Sequence, residues 1–273
     1  MSSPRSIDVV LAWWAERLPL LAFGGLASFV AVAGLVGADG TATGFLAAAG
    51  AAFILIAHFR LLDDLADRAR DRVEHPSRVM PRAASVGPFR VLLALTFVCS
   101  GLTLGAIGRA WGPVGSFMLL HGALAGWYRL RPRPPQARDG LSAHIVLLKY
   151  AGIVYIVGAA AGVGLGVDRV LVLMLVYLTF ALFEIHHDPA LRSGPGAAWI
   201  LRCELAGWLV VSVAVVVLVS PRPVALLTIG SLVLGVLLLG IAFRRLPDET
   251  TARRWSPAVL VAGFLQVLAL TIQ

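Results

Sequence analysis

Apolar residues run along this chain in long unbroken blocks, separated by short stretches where the charges gather. Nine blocks stand out, at about 18–38, 43–62, 88–108, 111–128, 141–163, 169–187, 198–219, 223–243 and 255–272. Each is close to twenty residues, the length that crosses a hydrocarbon core about 30 Å thick at a rise of about 1.5 Å per residue. The blocks do not alternate with period two, so membrane strands are excluded. Inside lipid each segment must satisfy its own backbone hydrogen bonds, which a helix does. The pattern predicts an all-α integral membrane protein, a single domain over residues 1–273, with nine transmembrane helices.

The first residues, MSSPRSIDVVLAWWAERLP, place charges where a signal peptide needs an apolar stretch, and no small-residue cleavage site follows. They read as a short amphipathic lead-in, with Trp13 and Trp14 at the membrane interface. Gly- and Ala-rich runs such as GFLAAAGAAF and GAAAGVGLG let membrane helices approach closely.

Composition agrees with the pattern. Hydrophobic residues make up 59% of the 273 and charged residues only 14%, too apolar a balance for a soluble domain. The net charge of +8 does not indicate nucleic acid, because the arginines stand in the connections. Arg68 to Arg90 follow the second block, and Arg129, Arg131, Arg133 and Arg138 the fourth. Arg192 and Arg202 follow the sixth; Arg244, Arg245, Arg253 and Arg254 follow the eighth. The opposite connections hold only Arg109, Arg169 and Arg222. This asymmetry places the N-terminus and the even connections in the cytoplasm and the C-terminus outside, which requires an odd number of spans. Cys99 and Cys203 read as buried thiols, with no disulfide framework or metal-binding spacing. Arginine is abundant and Lys149 is the sole lysine, beside much Ala, Gly and Val. That composition suits a GC-rich bacterial genome, so the expected location is a bacterial cytoplasmic membrane.

One charged stretch is unlike the rest: HFRLLDDLADRARDRVEHPSRVMPR, from His58 to Arg82. Asp63, Asp67 and Asp71 are spaced four apart, so in a helix they form one slowly drifting stripe. Carboxylates so aligned repel one another unless a cation sits among them, and a divalent metal is the obvious candidate. Asp64 lies about 100° off the stripe and is secondary. His58, at the stretch's edge, packs or donates a hydrogen bond.

A second acidic cluster follows the sixth block, in FEIHHDPALRSGPGAAWILRCEL. Glu184 and Asp188 are four apart, with His186 and His187 between them and Arg192, Arg202 and Glu204 after them. Ionisable residues at the end of a membrane span mark a site or a partner, although a helix cap is an equal reading here. Adjacent histidines point to different helix faces, so they do not share one metal ion. The remaining cytoplasmic connections, RLRPRPPQARDG and RRLPDETTARRW, read as solvated loops.

Two acidic clusters on one side of the membrane, each with arginines, suit a diphosphate held by Mg²⁺. Magnesium takes hard oxygen ligands and binds through a few carboxylates plus substrate phosphates. Arginine grips phosphate in a bidentate fork. An apolar tail on such a diphosphate would extend between the helices.

With these residues in place, the first stretch resembles the aspartate-rich motif of the UbiA superfamily of intramembrane prenyltransferases. Asp63 stands where that motif has Asn, Asp67 and Asp71 match its two aspartates, and Arg68 and Arg78 match its arginines. Glu184 and Asp188 align with the second motif, which is degenerate here: Glu replaces Asp, His186-His187 replace aspartates, and the following basic residue is shifted to Arg192. The resemblance covers nearly the whole chain. It implies a helical bundle around an apolar cavity, with first motif 58–82 and second motif 184–204 facing the cytoplasm.

It further implies that Mg²⁺ is bound by Asp63, Asp67, Asp71, Glu184 and Asp188, and that Arg68, Arg78 and Arg192 bind the diphosphate of a prenyl substrate. Ionisation leaves an allylic cation, and Trp127, Tyr128, Tyr155, Tyr177, Phe183 and Trp199 lie on spans that line such a cavity or simply pack. In the first reading an acceptor, aromatic or otherwise lipophilic, captures the cation, which is prenyl transfer. In the second its own double bonds capture it, which is terpene cyclisation. A transporter would need ionisable residues near mid-membrane, for which His121 and Lys149 are the nearest candidates.

Overall fold

The computed structural model describes residues 6–38, 40–108, 110–130, 140–188, 191, 196–219, 225–244 and 249–271. These residues build an all-helical bundle: α1 Ser6–Arg17, α2 Leu20–Leu35, α3 Ala42–Glu74, α4 Val79–Arg82, α5 Gly87–Gly108, α6 Gly112–Leu130, α7 Gly140–Ala160, α8 Val167–His187, α9 Ala197–Leu218, α10 Ala225–Arg244 and α11 Glu249–Thr271. A helix stands at each of the nine apolar blocks. Among the described residues, α3, α5, α7, α8 and α9 are long and apolar enough to cross a membrane. A sixth span results if α1 and α2, bent by 65° at their junction, count as one.

The outer surface identifies the surrounding solvent. Leu95, Val98, Leu102, Leu119, Val213, Val217 and Leu237 are all more than half exposed or close to it. A continuous apolar belt of this kind is untenable in water and natural in lipid. The protein is a multi-pass membrane protein.

Helix α3 positions the site. Its N-cap, Thr41, accepts the Gly44 amide at 3.0 Å. Its 33 residues extend about 50 Å, well beyond a hydrocarbon core of about 30 Å. No Gly or Pro interrupts it between Leu61 and Glu74, so the apolar half runs into the charged half without a break. The aspartates therefore stand on a rigid rod that leaves the membrane. It packs against α2, α5 and α7.

Three expectations are corrected. Trp13 does not face lipid headgroups: it is 1% exposed, in a second small core with Leu18, Ala57, Leu61, Met80 and Phe89. Cys99 and Cys203 are exposed, not buried. Lipid-facing and core-facing positions are equally apolar in a membrane helix, so hydropathy does not separate them. Arg169, read as part of an external connection, is 2% exposed inside α8. Its guanidinium donates to the carbonyls of Ala33 and Val154, each at 2.7 Å. Gly158 makes room for it, since a Cβ there would collide with the Arg169 guanidinium and sit 2.6 Å from the Gly34 carbonyl.

Of the two residues suggested as mid-membrane gates, His121 is occupied in packing and Lys149 pairs with Asp63. His121 Nδ1 lies 2.9 Å from His58 Nε2, and His58 Nδ1 lies 3.0 Å from Thr96 Oγ1. The Thr96 hydroxyl in turn donates to the Leu93 carbonyl. Phe59, Phe97 and Phe117 surround these imidazoles.

Candidate active site

Asp63, Asp67 and Asp71 lie on one face of α3, and each finds a different environment. Asp63 is 8% exposed. Both of its oxygens are engaged: the Tyr128 hydroxyl donates to Oδ1, and the Lys149 ammonium pairs with Oδ2. Asp71 accepts from Arg78 Nη1 on Oδ2 at 2.8 Å. Asp67, one turn from each, is half-buried and also makes an interaction.

Asp64, off the stripe, has a structural task. Arg17 grips it as a fork, Nε to Oδ2 at 2.9 Å and Nη2 to Oδ1 at 2.7 Å. The Trp13 indole donates to the same Oδ2 at 2.9 Å, and Arg60 Nε lies 3.5 Å from Oδ1. Bidentate geometry of this kind fixes orientation as well as charge. It fastens the amphipathic α1 across the base of the stripe. Glu16 adds a second tie by accepting the Val79 amide at 2.8 Å, at the start of α4.

The arginines divide by role. Arg68 donates to the backbone carbonyls of Met80 at 3.2 Å and Ala83 at 2.7 Å. It thereby folds the segment after α3 back against the helix. Arg78, brought round by that fold, reaches Asp71. Arg70 pairs with Glu74 at 2.9 Å. Arg192 lies outside the described residues.

The second motif sits on α8 and at its end. Asp188 is the C-cap, its amide bonded to the Glu184 carbonyl at 2.8 Å, and its side chain is 6% exposed. The Arg60 guanidinium feels the charges of Asp64, Asp63 and Glu184 together, and Glu184 also acts on the buried Tyr150 beside Lys149. Arg60 and Tyr150 are thus each within electrostatic reach of Asp63 and of Glu184. The histidines diverge as adjacent helical residues must. His186 is fully buried and its Nδ1 bonds the Leu182 carbonyl at 2.6 Å; His187 stacks on Phe183 and lies 3.5 Å from Ser256 Oγ.

The carboxylates of Asp67, Asp71, Glu184 and Asp188 are hard oxygen donors, the chemistry that Mg²⁺ takes. Arg78 engages only one oxygen of Asp71. Asp63 differs, because Tyr128 and Lys149 hold both of its oxygens. Among the described residues no three His, Cys, Asp or Glu side chains are already gathered as a metal cage. The donor type fits magnesium, and the remaining ligands are those a diphosphate would supply.

Sequence reasoning missed two groups. Lys149 was visible as the sole lysine, set in an apolar block, where an ionisable residue by default has a task. The other is a contact of three helices: His144 Nδ1 lies 3.0 Å from the Tyr177 hydroxyl, and His144 Nε2 lies 3.2 Å from Glu204 Oε1. Of the aromatic candidates, Tyr128 and Tyr177 are thus hydrogen-bonded to polar groups. Trp199, 69% exposed, faces outward and lines nothing.

No protein-family model and no curated protein matches the sequence. A solved structure does match: that of digeranylgeranylglyceryl phosphate synthase in membranes, with a TM-score of 0.61 at 16% identity, over 98% of this chain and 98% of that one. The chain shares the fold of that synthase over 98% of its length.

Proposed function

We propose that the protein is an intramembrane enzyme that ionises a prenyl diphosphate with the help of Mg²⁺ and transfers the prenyl group to a lipophilic acceptor. One observation carries this reading. Arg60 of α3 feels the charges of Asp64 and Asp63 in the first motif and of Glu184 in the second, so carboxylates of both motifs act on one cation. A fold shared with a prenyltransferase supports it.

Asp67, Asp71, Glu184 and Asp188 hold the metal, and Asp63 is the seat of Lys149. When bound, Mg²⁺ neutralises the charge that builds on the departing diphosphate. Arg78 and Lys149 are fixed cations beside the same place, and stabilise the leaving group without reorganising. Arg68 acts at a distance by holding the loop that presents Arg78; Arg192, the other diphosphate ligand expected from the sequence, lies outside the described residues. The prenyl chain lies among the apolar faces of α2, α3, α7 and α8. The acidic motifs face the cytoplasm, as the arginine asymmetry requires.

The test is an incubation of purified protein with geranyl, farnesyl and geranylgeranyl diphosphates, with Mg²⁺ or with a chelator, and no acceptor. Magnesium-dependent diphosphate release is expected. A discrete cyclic hydrocarbon among the products would replace transfer by cyclisation, and no release from any of the three would remove the proposal.

A further inference from the structure

We propose that Tyr177, His144 and Glu204 form a proton relay that removes the proton lost by the acceptor when it captures the prenyl group. The inference rests on the prenyl-transfer reading above and adds the base which that reaction needs.

The relay joins three helices. His144 belongs to α7, Tyr177 to α8 and Glu204 to α9. Glu204 is 6% exposed, and its Oε2 has no hydrogen-bond partner among the described residues. A buried carboxylate inside an apolar bundle is costly and needs a reason. The contact at 3.2 Å from Oε1 to His144 Nε2 supplies one.

The chemistry of the three groups sets the direction. As a carboxylate, Glu204 only accepts, and in that state Nε2 of His144 carries the proton. A neutral imidazole then presents a lone pair at Nδ1, and the Tyr177 hydroxyl, 3.0 Å away, donates to it. This is a base oriented by a carboxylate and aimed at a hydroxyl, the arrangement general-base catalysis uses.

Position gives the relay its substrate. Tyr177 precedes Glu184 by seven residues on α8, so it points within about 20° of the same direction, about 10.5 Å deeper in the membrane. Asp188, eleven residues on, lies on the same stripe. With a diphosphate at Glu184 and Asp188, Tyr177 stands on the side toward which the prenyl chain would extend. Both Tyr177 and His144 are half-buried.

The step balances. The bond between the allylic carbon and the diphosphate oxygen breaks, and diphosphate leaves with the electron pair. The acceptor's nucleophilic atom supplies the pair for the new bond to that carbon. The acceptor's proton passes to the Tyr177 oxygen as the Tyr177 proton passes to His144 Nδ1. The imidazolium so formed is balanced by Glu204. Tyr177 is the catalytic residue; His144 and Glu204 position and charge it.

The experiment counts two quantities separately: diphosphate released, and prenyl group found in each product. Purified full-length protein receives geranyl, farnesyl or geranylgeranyl diphosphate with Mg²⁺, and one acceptor from a set of phenolic, glyceryl-phosphate and prenylglyceryl-phosphate compounds. In Tyr177→Phe, His144→Ala and Glu204→Gln, diphosphate release should stay within about two-fold while acceptor products fall by about a hundred-fold. Added imidazole should restore part of the transfer in His144→Ala alone. Tyr177→Phe removes one oxygen and keeps the ring, which guards against a folding defect. Transfer unchanged in all three variants would overturn the relay, as would loss of release in parallel with transfer. Prenyl alcohol as the sole wild-type product would overturn it as well. A wild-type protein that releases no diphosphate would instead remove the prenyl-transfer reading, and the relay with it.

Discussion

Lys149 and Asp63 form a buried ion pair that joins α7 to α3 in the interior of the bundle. The carboxylate's other oxygen is taken by the Tyr128 hydroxyl, so α6 is tied to the same point. A cation was expected among the aspartates, and the protein supplies one itself at the innermost position. Farther along the stripe, Asp71 pairs with the loop residue Arg78.

Removing one partner of such a pair strands the other charge in a low dielectric. Lys149→Met is therefore expected to destabilise the protein by about 3–5 kcal/mol. The double variant Lys149→Met, Asp63→Asn leaves no stranded charge and should regain most of that loss. Thermal unfolding in detergent of the single and double variants checks this. Equal destabilisation of the two would mean that the pair is not the cause.

Arg17 makes the bidentate clasp that fastens α1 to Asp64. Arg17→Ala should cost about 2 kcal/mol, since Trp13 and Arg60 remain on the carboxylate. The effect should be local. Proteolysis within Ser6–Arg17 should quicken while the membrane helices keep their protection, as measured by limited digestion and mass analysis of the fragments.

Two glycines give a controlled comparison. At Gly158 an added methyl group would meet the Arg169 guanidinium and the Gly34 carbonyl, whereas at Gly50 it would meet nothing within 4 Å. Gly158→Ala should lose about 1–3 kcal/mol through overpacking. Gly50→Ala, in the middle of α3, should be neutral or gain up to about 1 kcal/mol from helix propensity. Melting temperatures of the two variants decide it; a stable Gly158→Ala would show that Arg169 can move aside without loss.

The arginine asymmetry predicts an external C-terminus. A reporter fused after Gln273 should be active outside the cytoplasm, and one fused before Met1 should be active inside. A cytoplasmic reading at Gln273 would mean an even number of spans.

How much of this could be read beforehand follows from what periodicity carries. The stripe of Asp63, Asp67 and Asp71 was legible because helical spacing alone puts the three on one face, and α3 has no breaker to spoil it. The helical class was legible for the same reason. The end of the second apolar block at residue 62 was a limit of hydropathy and not of helicity, so the helix runs on to Glu74. What joins different helices was not legible. Arg17 meets Asp64 across 47 positions and Lys149 meets Asp63 across 86, and nothing local records either distance. Likewise Glu204 stood in the second acidic cluster with no partner named until α7 and α8 brought His144 and Tyr177 together. The burial errors at Trp13, Cys99, Cys203 and Arg169 share a physical root. In a membrane bundle, core and lipid are both apolar, so inside and outside carry the same hydropathic signal.

The most direct test of the central claim is the rate of diphosphate release from geranylgeranyl diphosphate by wild type and by Asp67→Ala, in the same membranes and with Mg²⁺. Release that falls by about a hundred-fold or more in a variant that stays folded is the expected result. Release that persists at the wild-type rate in Asp67→Ala would contradict the assignment of the α3 stripe as the site of ionisation.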